Sequence, residues 1–168
     1  MSMVYKFSKY IGLAVILNML FGCGIYSFKG ALPPHAKSIA IPLFDDRTSY
    51  PEIRENMTNG VIDAFISDNT LAVVDEGQAD LVLYGTIQSI RQSAAVVKSG
   101  EQTTEAKLVI IVKLKVEDRV LNKTMVDKTI EEYSFLDENA GLAERDQAIG
   151  EIVDLLIDQI FNATLASW

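Results

Sequence analysis

The stretch that decides the fold is AKLVIIVKLKV, which occupies residues 106–116. Apolar side chains fill all of its even positions, whereas the odd positions carry Lys107, Lys113 and Lys115 around Val109 and Ile111. Successive side chains of a β-strand point to opposite faces of the sheet, so this alternation gives one apolar face and one cationic face. The pattern predicts a long strand with its even positions on a core and its odd positions toward solvent.

The region from residue 38 to about residue 67 is predicted to form a strand and a helix. Apolar residues alternate over residues 38–44, where Pro42 cannot donate to a neighbouring strand and therefore favours an edge or a bulge. Residues 45–48 are predicted to turn the chain. Ser49 and Glu52 have the spacing of a capping box at the start of a helix that runs to about Ser67. An apolar residue at every fourth position marks the buried side of this helix: Ile53, Met57, Val61 and Phe65.

Further strands and a second helix are predicted on either side of residues 106–116. Short β-like runs occupy residues 71–74 and 80–90, and Gly85 in the second run suggests a bulge or a close approach to the backbone. A turn at Asn122 leads into a strand at about residues 124–135. A C-terminal helix then follows residues 137–139, with an apolar side that comprises Leu142, Ile149, Ile152, Val153, Leu156, Ile160 and Phe161.

The N-terminus has the features of a lipoprotein signal peptide. Lys6 and Lys9 precede the apolar residues 11–21, which at about 1.5 Å of rise per residue cover only about half of a bilayer core of about 30 Å. The segment LFGC then ends at Cys23, the only cysteine, and is similar to a bacterial lipobox. We expect residues 1–22 to be removed and the Cys23 thiol to be acylated. The alternative is a buried free cysteine behind an ordinary signal peptide.

Removal of the signal peptide leaves 146 residues (168 − 22), a usual size for one domain. Residues 23–37 contain two glycines and two prolines without apolar periodicity, and are predicted to be a lipidated tether. Residues 38–168 are predicted to form a single domain. Helices and sheets that each have one apolar face bury it most simply against each other. We therefore predict an α+β fold, a two-layer sandwich of two helices on a mostly antiparallel sheet of four to five strands.

The mature chain is acidic. The signal peptide carries two lysines and no acidic residue, so the net charge changes from −8 to −10, with 13 Lys and Arg against 23 Asp and Glu. This excess of negative charge argues against general affinity for nucleic acid or for anionic lipid surfaces. A single cysteine excludes an internal disulfide. One acyl chain gives only marginal attachment to a bilayer, so durable anchoring at Cys23 implies two or more fatty acyl chains, such as palmitate.

Several segments together resemble a known family. They are SIAIPLF at residues 38–44, the following Arg47-Thr48, ADLVLYGTI at residues 79–87, and GIYSF directly after Cys23. In this order of elements the chain resembles the LptE family of lipopolysaccharide-assembly lipoproteins. The resemblance implies an outer-membrane lipoprotein on the periplasmic side that sits inside the LptD β-barrel and helps insert lipopolysaccharide into the outer leaflet. Similar strands occur in other envelope lipoproteins, including curli-secretion-type pore subunits and activators of penicillin-binding proteins.

The sequence lacks the residues that catalysis or metal binding would need. The only histidine, His35, follows two prolines in the tether and is expected to be a solvated loop residue rather than a general base. An acylated Cys23 cannot act as a thiolate nucleophile. Adjacent acidic pairs on a strand point to opposite faces, and zinc would need His or Cys ligands at a defined spacing. We therefore predict a non-catalytic protein that binds no metal and no cofactor.

Charge is distributed unevenly along the chain. Residues 85–130 hold eight basic and five acidic side chains, whereas the C-terminal helix is acidic. The phosphates of a glycolipid need ammonium or guanidinium partners, and lysine stems can cover part of an acyl chain. The alternative is an ordinary solvated face, on which lysines prevent aggregation between sheets. We predict that the basic face contacts lipopolysaccharide or the barrel wall through Arg91, Lys107, Lys113 and Lys115.

Two classes of function remain. The first is an accessory lipoprotein that plugs and assists an LptD-type barrel; the alternative is a secretion-pore subunit or an activator of a peptidoglycan synthase. A pore subunit needs strands of about 9–11 residues that can span a membrane, and residues 106–116 are long enough, but Lys113 and Lys115 leave that role open. An activator needs a long linker between its lipid anchor and its domain, whereas residues 24–37 form only a short one. Gly24, rather than aspartate, after Cys23 favours the outer membrane.

Overall fold

The computed structural model describes residues 32–48, 50–94 and 105–166, and it has two layers. The strands form one sheet in the order β3-β1-β4-β5-β6, with β2 beside β4. Strands β4, β5 and β6 pair antiparallel, whereas β1 and β2 pair parallel with β4. In chain order the elements are β1 (Ser38–Ala40), β2 (Asp45–Asp46), α1 (Ile53–Asp68), β3 (Ala72–Val73), a 3₁₀ helix (Glu76–Gln78), β4 (Leu81–Ala94), β5 (Glu105–Asp118), β6 (Lys123–Asp137) and α2 (Leu142–Leu165).

The predicted α+β sandwich is confirmed, because both helices contribute to the core on one face of the sheet. The sheet has six strands rather than four to five, since residues 38–46 supply two short strands where one was predicted. The predicted antiparallel character holds for the three long strands, and the short strands add a parallel part. No helix in the described ranges is long and apolar enough to cross a membrane.

Strand β5 has the alternation that its sequence predicted. Every even position from Ala106 to Val116 is buried, at 2% exposure or less, in the core that the helices share. The odd positions are partly or fully exposed. Burial of each such aliphatic side chain contributes roughly 1.5–3 kcal/mol, so this face fixes β5 against the helical layer and leaves the opposite face open.

The predicted strand at residues 38–44 is interrupted at Pro42. Strand β1 ends at Ala40 and lies between β3 and β4, so the predicted edge position is wrong. Asp45 is five positions after Ala40, but their partners Thr86 and Val82 on β4 are only four positions apart. The segment around Pro42 therefore bulges by one residue, as a residue without an N–H permits. Asp45–Asp46 forms β2, where a turn was predicted.

Helix α1 begins differently from the prediction and ends as predicted. Glu52 is the N-cap itself, with a left-handed φ of 59° and no side-chain capping bond, so its predicted place in a capping box is wrong. Ser49, the other member of that box, lies outside the described residues. The helix ends at Asp68, and the N–H of the C-cap residue Asn69 donates to the carbonyl of Phe65. Its buried stripe is the one predicted, namely Ile53, Met57, Val61 and Phe65.

Helix α2 packs against both the sheet and α1. Most of its predicted apolar side lies in the core, but Leu142 is 82% exposed, because the buried stripe starts only at Ala148, about 1.7 turns later. The helices approach closely at Gly60, where a Cβ atom would collide with the side chain of Ile157. Further along, Phe65 and Phe161 make an edge-to-face contact with ring centroids 5.0 Å apart.

At Gly85 another side chain approaches the backbone of β4 closely, which is one of the two alternatives that the sequence suggested. A Cβ atom at this position would overlap the ring of Phe44, which is 1% exposed. The bulge in β4 lies further on, between Ile87 and Ser89. Glycine is therefore needed here so that Phe44 can reach the sheet, and the residues after the bulge change faces relative to those before it.

Candidate binding face of the sheet

All four predicted basic residues lie on the face of the sheet opposite the helices. Lys107, Lys113 and Lys115 occupy odd positions of β5. Arg91 reaches the same face because the β4 bulge shifts the register and places it opposite Val109. We call this surface the open face, and divide it into a tether half and a hairpin half. The tether half comprises Tyr84, Thr86, Lys113, Lys115, Glu117, Asp127 and Thr129. The hairpin half comprises Ser89, Arg91, Ser93, Glu105, Lys107, Val109, Ile111, Glu131, Tyr133, Phe135 and Asp137, with the carboxylates of Glu105 and Asp137 at its outer end.

In the tether half the lysines already have carboxylate partners. Lys113 Nζ lies 3.3 Å from Asp127 Oδ1, and Lys115 Nζ lies 2.6 Å from Glu117 Oε1. The hydrogen bond between Lys115 and Glu117 raises the pKa of the lysine and lowers the pKa of the glutamate. Exposed pairs of this kind stabilise a fold by at most about 1 kcal/mol. Their main consequence is that an anionic ligand would have to displace a carboxylate.

The charged side chains at the border of the tether half also form ion pairs and hydrogen bonds with one another. Arg119 lies 2.7 Å from the Glu76 carboxylate, and the Tyr84 hydroxyl donates to the same carboxylate at 2.6 Å. This hydrogen bond to Glu76 raises the pKa of Tyr84, so its hydroxyl stays protonated. The 3₁₀ helix that carries Glu76 is thereby held over the start of β4, where Ala79 and Val82 form a small second core.

In the hairpin half the cations face aromatic and aliphatic groups. Lys107 Nζ lies 4.0 Å from the centroid of the Tyr133 ring, and Tyr133 meets Phe135 edge-to-face at 5.4 Å. Tyr133 is 47% exposed and Phe135 is 53% exposed. Arg91 is exposed and donates to the Ser89 hydroxyl at 3.2 Å. Within the described ranges neither Arg91 nor Lys107 forms an ion pair with a carboxylate.

This arrangement can bind a ligand that is both anionic and apolar. The cross-strand row Arg91, Val109, Tyr133 sits beside the row Lys107, Phe135, so two cations border a surface of rings and aliphatic groups. Arg91 and Lys107 are diagonal neighbours, at about 7–8 Å between backbones, within reach of one phosphorylated group. An exposed apolar patch rimmed by polar groups is typical of an interaction site.

Sequence reasoning missed the two aromatic residues of this site. Tyr133 and Phe135 were placed in a strand, but their face was not identified. The available signal was their spacing of two, which puts both rings on one side of β6. The register with β5 then places them opposite Val109 and Lys107.

Sequence reasoning also missed the role of His35. The expected solvated loop position is wrong: His35 Nε2 lies 2.7 Å from Oδ2 of Asp118, a carboxylate that is 1% exposed. Burial raises the pKa of Asp118, but hydrogen bonds from the Leu121 N–H and from His35 outweigh it, so the net pKa is lowered. The two residues are 83 positions apart, and their contact could not be read from local patterns.

A second carboxylate holds the same segment. Asp80 accepts hydrogen bonds from the N–H groups of Lys37 and Ser38 and from the Ser38 hydroxyl, at 2.9–3.1 Å. These bonds lower the pKa of Asp80, the bond from Lys37 contributing most. The described end of the tether is thus fixed to the sheet where β4 begins and β5 ends. Cys23 and the rest of the tether lie outside the described residues.

The groove between the two helices does not suit a phosphorylated ligand. A groove of about 760 Å³ between the N-terminal halves of α1 and α2 is lined by the carboxylates of Glu52, Asp63, Asp146 and Asp154, with no basic side chain. The groove would repel an anion. Among the described residues no group of three or more His, Cys, Asp or Glu side chains is arranged to hold a metal ion.

Comparison with known proteins identifies the family. The model of the LptE lipopolysaccharide-assembly family matches residues 36–164, most of the chain. The chain belongs to the LptE family. The LptE match covers the whole sheet, including both cationic residues of the hairpin half. The family consists of non-enzymatic lipoproteins that take part in lipopolysaccharide assembly. No curated protein matches the sequence.

Solved structures share the fold of this LptE-family chain at low sequence identity. Protein XCC0632 from Xanthomonas campestris has a TM-score of 0.60 at 12% identity, with 82% of this chain and 89% of that chain covered. The hypothetical protein CT253 from Chlamydia trachomatis has a TM-score of 0.57 at 11% identity, covering 78% and 99%. The rare lipoprotein B from Shewanella oneidensis has a TM-score of 0.50 at 18% identity, covering 72% and 92%. Likeness at this identity establishes the fold alone.

Proposed function

We propose that this LptE-family chain is a non-catalytic outer-membrane lipoprotein, anchored on the periplasmic face through acylated Cys23, that plugs an LptD-type β-barrel and assists lipopolysaccharide insertion. The observation that carries this proposal is the family match over residues 36–164. The lipobox-like segment that ends at Cys23 supports the anchor. The chain then acts by recognition, and the open face is the surface with the chemistry for it.

Within that role, the hairpin half contacts lipopolysaccharide. Its guanidinium and ammonium groups, on Arg91 and Lys107, have no carboxylate partner in the described part of the chain and can pair with phosphate. Tyr133 and Phe135 offer exposed rings on which the apolar and sugar parts of the ligand can lie. Glu131, opposite Ile111, borders the site and disfavours an anion beyond it.

The tether half has a different part in this proposal. Lys113 and Lys115 were predicted as contacts, but a phosphate that reached them would have to displace Asp127 and Glu117. The proposed contact set is therefore narrowed from four basic residues to Arg91 and Lys107. The tether half would instead support the attachment of the tether and the rigidity of the sheet.

Affinity purification of the full chain through a C-terminal tag tests the proposed partner. After mild detergent extraction, a large β-barrel protein is expected to co-elute in stoichiometric amount. The matched control carries an ordinary cleavable secretory signal in place of residues 1–23, so it loses the anchor but keeps the entire folded domain; it is expected to recover less barrel. Co-elution of a homo-oligomeric ring or of a peptidoglycan synthase, without the barrel, would contradict the proposal.

A further inference from the structure

Strand β6 forms a long outer edge of the sheet. Among the described residues no strand lies beyond it, since the sheet order ends β5-β6. The opposite edge, β3, has only two residues, and short edge strands are one way in which proteins avoid pairing with other chains. After the irregularity beside Val116, β6 pairs regularly with β5 from Val126 to Asp137. Backbone N–H and C=O groups along the outer side of residues 126–137 therefore have no strand to pair with in the described part of the chain.

Two charged side chains on the helix side of β6 have no ionic partner within the described ranges. Lys128 is exposed and lies opposite Leu114, and Glu132 lies opposite Ile110. Glu132 accepts a hydrogen bond from the Gln159 side chain of α2, but neither charge is in an ion pair. Charges on the inner side of an edge strand normally discourage pairing with another chain. Because these two charges have opposite signs, they discourage pairing only with strands that do not match them.

One such matching strand is a second copy of β6. In an antiparallel pair, facing residues lie on the same side of the sheet, so a symmetric pair is centred on one residue that faces its own copy. The symmetric registers that pair at least nine residues of the stretch 126–137 have their centres at residues 130, 131, 132 and 133. The facing charges decide between these registers.

Only the register centred on Ile130 brings opposite charges together. It places Lys128 of each copy opposite Glu132 of the other, and no like charges face each other. Centres at Glu131 and Glu132 place two glutamates face to face, which is destabilising. A centre at Tyr133 pairs no opposite charges. The edge is therefore complementary to itself in one register, with the largely buried Ile130 at its midpoint.

We infer that β6 of the free chain pairs antiparallel with β6 of a second copy, in the register centred on Ile130. The two sheets then form one continuous sheet with all four helices on one side, and the pairing covers an edge that is otherwise open to aggregation. A domain enclosed by a barrel cannot pair in this way, so the dimer is the state of the chain before it enters the barrel. The inference does not depend on the proposed barrel, because the edge belongs to the domain itself.

Native mass spectrometry of the lipidated full chain, purified in mild detergent without any barrel, tests this inference. Lys128→Glu and Glu132→Lys each create like charges at both facing positions, whereas a 1:1 mixture of the two variants restores opposite charges at both. Arg54→Glu is the matched control, because it makes the same change of charge as Lys128→Glu but on α1, where Arg54 pairs with Glu55. The anchor is common to all of these proteins, so it cannot account for a difference between them.

The unsubstituted chain and Arg54→Glu are expected to be dimers at micromolar concentration. Each single β6 variant should raise the dissociation constant of the dimer by about tenfold or more, and the mixture should recover a heterodimer, which also shows that both variants fold. A monomeric unsubstituted chain, or β6 variants that dimerise as well as the unsubstituted chain, would overturn the inference. Monomeric variants whose mixture stays monomeric would overturn the register. None of these results affects the barrel proposal, since a chain that is monomeric when free can still co-elute with a barrel.

Discussion

The two halves of the open face carry similar numbers of basic residues but differ in what surrounds them. In the tether half, Lys113 and Lys115 are matched by carboxylates on β6 and β5. In the hairpin half, Lys107 faces the ring of Tyr133 and Arg91 faces solvent. The number of lysines on a strand is therefore a poor measure of its capacity to bind anions. The cross-strand neighbours decide which cations remain available.

The comparison assumes that the side chains of the open face do not pack in the core of the domain. Substitutions at two adjacent positions of β5 test this assumption, and they have the largest expected effect on stability. Ile110→Ala removes a fully buried side chain and should lower the free energy of unfolding by about 2–5 kcal/mol. Ile111→Ala, on the open face of the hairpin half, should lower it by about 1 kcal/mol or less. Urea unfolding measures both. Equal losses would mean that another part of the chain covers the open face.

Acid should weaken the attachment of the tether beside the tether half, where Asp80 and Asp118 hold residues 35–38, and should leave the hairpin half unaffected. Asp80 and Asp118 have pKa values held below their ordinary value of 3.8, so they stabilise the fold above about pH 4 and lose that contribution as the pH falls further. Asp118→Asn should lower the free energy of unfolding at pH 7 by about 1–3 kcal/mol and flatten its decline below pH 4. Urea unfolding from pH 7 to pH 3 measures this. An unaltered acid profile in the variant would refute the assignment.

The smallest effects are expected from the lysine contacts themselves. Double-mutant cycles on the Lys113–Asp127 pair and the Lys107–Tyr133 pair should each give a coupling energy of about 1 kcal/mol or less. The coupling of Lys113 with Asp127 should fall at about 1 M salt, because the Debye length is then only about 3 Å. A coupling above about 2 kcal/mol for Lys107 would mean that its ammonium group is committed to the fold rather than available to a ligand.

The parts of the fold that depend on local periodicity could be predicted from the sequence. The two faces of β5 and the buried stripe of α1 follow from spacings of two and four residues. The α+β class follows because elements with one apolar face must pack together. Pro42 was correctly associated with a bulge, but its place inside the sheet depends on the parallel pairing of β1 with β3 and β4, which residues 38–44 alone do not specify.

The candidate site could be predicted only in part, because its chemistry depends on register. The alternation of β5 placed its three lysines on one face, and the β4 bulge brought Arg91 to them. The partners of those cations come from β6, whose alignment is set by the whole hairpin and by a further bulge beside Val116. This alignment places Asp127 opposite Lys115 and Tyr133 opposite Val109, and their side chains reach diagonally to Lys113 and Lys107. Neither strand reveals these contacts alone.

The most direct test of the central claim is the binding of purified lipopolysaccharide to two charge-matched variants. Arg91→Gln with Lys107→Gln removes two positive charges from the hairpin half, and Lys113→Gln with Lys115→Gln removes two from the tether half. If the hairpin half holds the ligand phosphates, the first variant should lose about tenfold or more in affinity and the second about twofold or less. Equal losses in both variants, or a larger loss in the tether-half variant, would contradict the claim.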